Sequence, residues 1–149
     1  MSHITIMRGL PGSGKSTYAR EVVEASGGMT KRINRDDLRA MLDNGHWSKE
    51  NERFVVEVRD ATIRHAIERG YDVIVDDTNM PCQAFENLFA FCKSLTHYTY
   101  LEVFDLPVEE CLRRNALREG AARVPDEVIL RMDKQWTEAE ASLRGKLSE

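Results

Sequence analysis

An apolar run, Ile4-Thr-Ile-Met7, leads directly into Gly9-Leu-Pro-Gly12-Ser13-Gly14-Lys15-Ser16, and a stretch with helical patterning begins at Thr17-Tyr-Ala-Arg20. Strand, glycine-rich loop and helix in that order let several backbone N–H groups converge on phosphate oxygens, while the helix N-terminus adds its positive dipole end. This is a P-loop in its expected setting, and it puts nucleotide chemistry ahead of other readings. Gly12, Ser13, Gly14, Lys15, Ser16 and Thr17 are the expected phosphate-binding residues. Lys15 is expected on the β- and γ-phosphates, and the Ser16 hydroxyl on Mg²⁺.

A loop of this kind belongs at the carboxyl end of a buried strand, and the rest of the chain supplies the sheet to hold it. The pattern predicts strands near 3–8, 30–34, 71–75 and 98–104. Helices are predicted near 15–26, 36–43, 48–69, 81–94 and 107–118, and a further one with Pro125 in its first turn. Tyr71-Asp-Val-Ile-Val75, bounded by Gly70 and Asp76, suits a strand buried on both faces of a parallel sheet. The alternation implies an α/β, P-loop NTPase fold: about four parallel strands, helices on both faces, right-handed crossovers. Ligands of such sheets lie beyond the carboxyl ends of the strands. The P-loop, Arg35-Asp36-Asp37 and Asp76-Asp77-Thr78-Asn79 all fall there.

At 149 residues, the chain is expected to form one domain spanning 1–149. Its net charge of −4 argues against a surface basic all over, while leaving room for a local basic groove. Fifteen of the 21 basic residues are arginine, the side chain suited to bidentate phosphate contacts. Cys82, Cys92 and Cys111 are odd in number and lack ligand spacing, so reduced thiols are expected rather than disulfides or zinc. His3, His46, His65 and His97 are scattered without ligand spacing. No charged-then-apolar leader and no apolar run of about 18 residues appears, so a cytoplasmic protein with no membrane partner is expected.

Phosphoryl transfer to an alcohol needs a carboxylate near the attacking hydroxyl, cations over the transferring group, and exclusion of water. Asp36 lies at a strand-to-helix junction, where its side chain can enter the cleft. Arg39, three residues on, shares its helix face, so the pair would hold a hydroxyl and a neighbouring phosphate together. The competing role for Asp36 is helix N-capping, and Asp36 and Asp37 would then divide capping and catalysis between them. Asp77 has two open roles: holding the waters of Mg²⁺, or hydrogen bonding to Thr17 and the adjoining loops.

Gly9 to Arg20, Asn34-Arg-Asp-Asp-Leu-Arg39, Asp77-Thr-Asn79, and Arg114-Asn-Ala-Leu-Arg118 followed by Val124-Pro125 resemble the 5′-hydroxyl polynucleotide kinase domain of phage polynucleotide kinase-phosphatases. The resemblance runs over nearly the whole chain in the family's order. It implies transfer of the γ-phosphate of ATP, or another NTP, to the 5′-OH end of DNA or RNA. By that resemblance Asp36 is the general base and Arg39 positions the phosphate of the 5′-terminal nucleotide. Lys15 and Ser16 handle the donor phosphates and Mg²⁺. Arg118, with Arg114 beside it, acts on the transferring phosphate from a helical lid at about 107–135. The four-residue spacing of these two arginines independently suggests one helix face converging on one anion. Arg113 is expected at the surface, and Arg123 in a loop near the nucleotide base or the lid.

The bifunctional relatives carry a phosphatase module with an Asp-x-Asp-x-Thr motif, which this sequence lacks. The chain is therefore expected to be a stand-alone kinase or a domain cut from a larger protein, joined there to a phosphatase or ligase module. A small-molecule P-loop kinase acting on a sugar, antibiotic or nucleotide is the rival enzyme. A nucleotide-dependent switch is the rival from another class. It lacks an Asn-Lys-x-Asp element and leaves Asp36 unexplained.

Overall fold

Side-chain alternation in the first strand decides where the helices pack. In β1 (Ile4–Gly9), Ile4 and Ile6 face one side of the sheet and Met7 the other, and all three are fully buried. The computed structural model describes residues 1–147; the side chains of residues 121, 144, 146 and 147 are outside that description. β1 runs through the P-loop into α1 (Lys15–Ala25). Then come β2 (Thr30–Ile33), α2 (Arg35–Asp43), α3 (Lys49–Glu68), β3 (Asp72–Asp76), α4 (Gln83–Leu95), β4 (Thr99–Phe104), α5 (Val108–Ala116), a 3₁₀ turn at Gly120–Ala122 and α6 (Asp126–Leu147).

The four strands form one parallel sheet in the order β2-β3-β1-β4. Ile4 and Ile6 pack with Val73 and Val75 of β3 against Val55 and Ile63 of α3 and Phe85, Leu88 and Cys92 of α4. Met7 and Ile74 pack on the other face against Ala19 of α1. The sheet thus carries helices on both sides, and the all-apolar middle of β3 follows from burial on both faces. A smaller cluster, with Leu10, Cys111, Ile129 and Trp136 at its centre, fastens α5 and α6 to the end of the sheet that bears the P-loop. None of the helices among the described residues is long and apolar enough to cross a membrane.

Several boundaries differ from expectation. Pro81 and Pro125 lie just outside α4 and α6, with Cys82 as the α4 cap residue. α5 stops at Ala116, two residues short of Arg118, and closes with N–H bonds from Leu117 to Arg114 O and from Arg118 to Asn115 O. The cause is Asn115. Its side chain is fully buried, donates to Val124 O at 2.6 Å and accepts from Val124 N at 2.9 Å, which draws residues 117–124 back across the helix end. Arg118 therefore sits in a turn and does not share a helix face with Arg114.

Asn115→Ala should leave both backbone groups of Val124 without their partner. Val124 is half-buried, so a loss at the low end of the range for an orphaned group, about 1 kcal/mol, is expected. A lowered urea midpoint at unchanged slope would show it. An unchanged midpoint would mean that Asn115 does not hold the α5–α6 connection.

Candidate active site

Close approach shapes the P-loop. Gly12 has φ +86°, and a Cβ there would stand 2.7 Å from the Cys111 carbonyl oxygen of α5. Gly14 has φ +95°, and a Cβ there would stand 3.5 Å from Arg114 Nη1. Both positions suit glycine for conformation, Gly12 for space as well, and both show that α5 lies over the loop. Leu10 O accepts from Ser13 N at 3.1 Å and from Lys15 Nζ at 3.1 Å, which curls the loop around its own carbonyl. Gly9 N donates to Thr78 O at 3.2 Å and Asn79 Nδ2 to Met7 O at 2.7 Å, tying the loop after β3 to the end of β1. Asn79 takes a left-handed φ of 47°, which Asn tolerates, while its side chain makes that bond.

Lys15 is almost fully buried, and burial lowers its pKa to about 8, against the opposing pull of Asp76 and Asp77. Arg118 lowers it further by like-charge repulsion, so this arginine acts on the same region as the P-loop lysine. Arg114 donates from Nε to Glu110 Oε1 at 3.0 Å, and Arg113 donates to both Glu110 oxygens. Those bonds from Arg113 and Arg114 hold the Glu110 carboxyl down to about 2. Arg118 reaches Ala122 O at 3.4 Å, and Arg123 is exposed. The structure thus brings Lys15, Arg114 and Arg118 to the P-loop, with Arg118 arriving from the turn.

Asp76 and Asp77, at the carboxyl end of β3, organise the next layer. Asp76 is fully buried, and its Oδ2 accepts from Arg32 Nε at 2.7 Å. Arg32 Nη1 also donates to Asp37 Oδ2 at 2.7 Å. Asp77 Oδ1 accepts from Arg35 N at 3.0 Å, and its Oδ2 lies 3.3 Å from Arg35 Nε. Burial raises the Asp77 pKa, opposed chiefly by Arg35 and then by Arg59, a buried arginine of α3. Of the two roles open to Asp77, the hydrogen-bonding one is met by Arg35 and not by Thr17.

The competing role of helix N-capping is taken by neither Asp36 nor Asp37. Asn34 caps α2, accepting from Asp37 N at 2.9 Å, while its amide donates to Asp76 O. The extended backbone of Asn34 leaves its short side chain in reach of the first-turn N–H groups, so neither Asp36 nor Asp37 is needed there. The Asp36 side chain is 83% exposed and accepts from Arg39 Nη1 at 2.6 Å. The other side of that guanidinium is gripped by Glu52 of α3, with Nε to Oε2 at 3.0 Å and Nη2 to Oε1 at 2.9 Å. Glu52, Arg32 and Arg59 were not expected from sequence. Only an acidic residue near the start of a helix marked Glu52, and many surface helices carry one.

P-loop, buried carboxylates and overlying arginines at one strand edge define a kinase-type phosphotransferase with a P-loop kinase-like fold. The chain belongs to the AAA domain family AAA_33, whose model matches residues 4–139. It is 27% identical over 147 residues to a protein of Autographa californica nuclear polyhedrosis virus named as a bifunctional polynucleotide kinase/RNA ligase, the match spanning 89% of this chain and 20% of that protein. It is 30% identical over 139 residues to the L-seryl-tRNA(Sec) kinase of Methanococcus maripaludis, covering 89% of this chain and 52% of the kinase. A chain in the structure of the Pnkp1/Rnl/Hen1 RNA repair complex superimposes with a TM-score of 0.81 at 27% identity, covering 95% of this chain and 46% of that one. The chain therefore spans a fifth to about half of these proteins.

The lysine supplies a pH test. With a folded pKa of about 8 against an ordinary 10.5, charged Lys15 opposes folding below pH 8. Between about 8 and 10.5 the unfolded chain binds more protons, so stability from this group rises with pH. Phosphates placed on Lys15 would restore its charge, and ATP binding at pH 8 should take up about half a proton. Binding heats measured in buffers of different ionisation enthalpy read this directly. Buffer-independent heats would show that Lys15 is already charged before nucleotide binds.

Proposed function

We propose that this chain is a polynucleotide 5′-hydroxyl kinase domain that moves the γ-phosphate of ATP to the 5′-OH end of DNA or RNA. The observation that carries the reading is the Asp36–Arg39–Glu52 arrangement beyond the carboxyl end of β2, at the same end of the parallel sheet as the P-loop. An exposed carboxylate accepts at 2.6 Å from Nη1 of a guanidinium whose Nε and Nη2 each donate one N–H to a second carboxylate. A carboxylate that takes a hydroxyl proton, next to an arginine that holds the nucleotide's own phosphate, is what a 5′-terminal nucleotide requires. The named activities of the viral and archaeal relatives, on polynucleotide and on aminoacyl-tRNA, support an acceptor carried by nucleic acid.

In this reaction the 5′-oxygen forms a bond to Pγ as the bond from Pγ to the β,γ-bridging oxygen breaks. ADP leaves, and the hydroxyl proton passes to Asp36. Lys15 and the P-loop N–H groups hold the donor phosphates, Arg39 orients the acceptor, and Arg114 and Arg118 offset charge on the transferring group. Asp76 Oδ1 and Asp77 Oδ2 are buried and receive no hydrogen bond among the described residues, although Arg35 Nε lies 3.3 Å from Asp77 Oδ2, and such carboxylate oxygens fit the waters of a hydrated Mg²⁺. The ion would be held by Ser16 directly and by Asp77 through water, and would neutralise phosphate charge. No group of three or more His, Cys, Asp or Glu among the described residues is placed to hold a metal alone, so phosphate oxygens and water would complete the shell. In a longer parent protein or complex, a ligase or phosphatase module would take the 5′-phosphate end onward.

The deciding experiment incubates the protein with γ-labelled ATP and a 5′-OH oligonucleotide beside its 5′-phosphorylated twin. Label is expected on the first only. Label on neither would shift the reading to the small-molecule kinase. Asp36→Asn should slow transfer about 10²–10⁴-fold with ATP affinity nearly unchanged. A greater loss in Asp37→Asn would reverse the two carboxylates.

Arg39→Ala should raise the oligonucleotide KM far more than the Kd for ATP, with Arg39→Lys recovering only part because the planar fork is lost. Glu52→Ala should move the same constant in the same direction, by about 10-fold or more for a lost charge-assisted pair. Loss of ATP affinity with a normal acceptor KM would assign both residues to the donor side.

A further inference from the structure

Arg35, the first residue of α2, stands between a buried carboxylate at the end of β3 and a carboxylate of α3. Its backbone N donates to Asp77 Oδ1 at 3.0 Å, which fixes the root of the side chain. The guanidinium then spans two acids. Nε lies 3.3 Å from Asp77 Oδ2, and Nη1 donates to Glu52 Oε1 at 3.4 Å. Both contacts are long for a guanidinium and a carboxylate, which close to about 2.7–2.9 Å when well seated. The pair with Asp77 is also misaligned: Arg35 Nε and Asp77 Oδ2 are both buried, and neither takes part in a hydrogen bond among the described residues.

Glu52 Oε1 is shared. It accepts from Arg39 Nη2 at 2.9 Å as well as from Arg35, because the two arginines are four residues apart on one face of α2. Asp77, Arg35, Glu52, Arg39 and Asp36 thus form one chain of alternating charge. A movement of about half an ångström would seat Arg35 fully on either acid at the expense of the other. Lys15 faces Asp77 from the donor side. Donor-side cations that draw on Asp77 Oδ2 would send Arg35 to Glu52 Oε1, loosening Arg39 Nη2 for an acceptor phosphate. A phosphate on Arg39 would free Glu52 for Arg35, and thereby Asp77 for the donor side, as linkage requires.

We propose that Arg35 is a positioning residue that couples the two halves of the site, so that each substrate strengthens binding of the other. The proposal rests on the reading of Arg39 as the residue that holds the acceptor phosphate. It adds a two-position element, Arg35 between Asp77 and Glu52, whose balance both substrates bias.

The test has two readouts. By titration calorimetry, a 5′-OH 12-nucleotide oligonucleotide should bind the parent protein about fivefold or more tightly when Mg²⁺ and β,γ-imido-ATP, which blocks transfer, are present. In Arg35→Gln and Arg35→Lys that ratio should fall to about one, whatever happens to each Kd alone. Lysine keeps the charge but has one nitrogen where the guanidinium has an arm for each acid. A merely structural Arg35 would move the Kd values and leave their ratio. The second readout needs no acceptor: the Nε–H signal of Arg39 in a ¹H–¹⁵N spectrum, assigned by its loss in Arg39→Lys. It should shift when Mg²⁺ and β,γ-imido-ATP are added to the parent and stay in place in Arg35→Lys. A parental ratio of one or less, or a parental ratio kept by both Arg35 variants, would overturn the coupling, and labelling of the same 12-mer would leave the proposed function standing. An Arg39 signal that moves in the parent and not in Arg35→Lys, in a protein that labels no 5′-OH end, would keep the coupling and reject the polynucleotide assignment.

Discussion

Two adjacent buried carboxylates at the end of the central strand β3 set the electrostatic terms for everything around them. Removing a carboxylate from water costs several kcal/mol unless cations and hydrogen bonds replace the solvent. Asp76 and Asp77 obtain that replacement from three directions: Arg32 on β2, Arg35 at the start of α2, and Lys15 at the start of α1. The compensation therefore couples three strand ends. It also keeps Lys15 from paying the full penalty of its own burial, since the two carboxylates oppose the lowering of its pKa. A nucleotide phosphate arriving at the P-loop meets a lysine whose positive charge the protein itself stabilises only weakly, so the phosphate has much of that charge to gain.

How far the sequence disclosed this depends on how local each interaction is. The P-loop was legible because the strand, the glycines, Lys15 and Ser16 are contiguous, and their chemistry fixes their order. The strands were legible to within a residue or two, because their apolar runs are short and bounded by turn residues. The Asp36–Arg39 pair was legible because three residues make a helical neighbour. Glu52 was not, because it meets Arg39 across a turn and thirteen positions, which helical spacing does not encode. Arg32 looked like an ordinary polar strand residue, and only the pairing of β2 with β3 places it beside Asp76. In Asn34-Arg-Asp-Asp three side chains were competent to cap α2. The choice fell to Asn34, whose amide also bonds Asp76 O while its oxygen caps.

The donor and acceptor halves of the site are built differently. Small residues, a buried lysine and backbone bonds make the donor half, and the same plan recurs across P-loop kinases whatever they phosphorylate. On the proposed function, side chains of α2 and α3 make the acceptor half; these two helices hold each other through Arg39 and Glu52. That proposal would put acceptor selectivity in a hairpin of helices separate in sequence from the phosphate loop. The arginine held by two carboxylates lies in that hairpin.

The arginines over the P-loop follow a third logic. Arg114 is held by Glu110, and Arg118 donates to a carbonyl of the following turn. Exposed ion pairs of this kind contribute little to folding, because water screens the charges and two long side chains lose freedom. For the same reason they are easily exchanged: a guanidinium can trade a solvent-exposed carboxylate for a phosphate at small cost, keeping a charge-assisted bond throughout. The backbone near them is fixed more firmly, through the close packing of Cys111 on Gly12 and the Asn115 bonds to Val124. On the proposed function, a firm anchor with loosely held cations at its surface would suit charge that appears only in the transition state, since nothing deep in the core would have to be broken for the arginines to move.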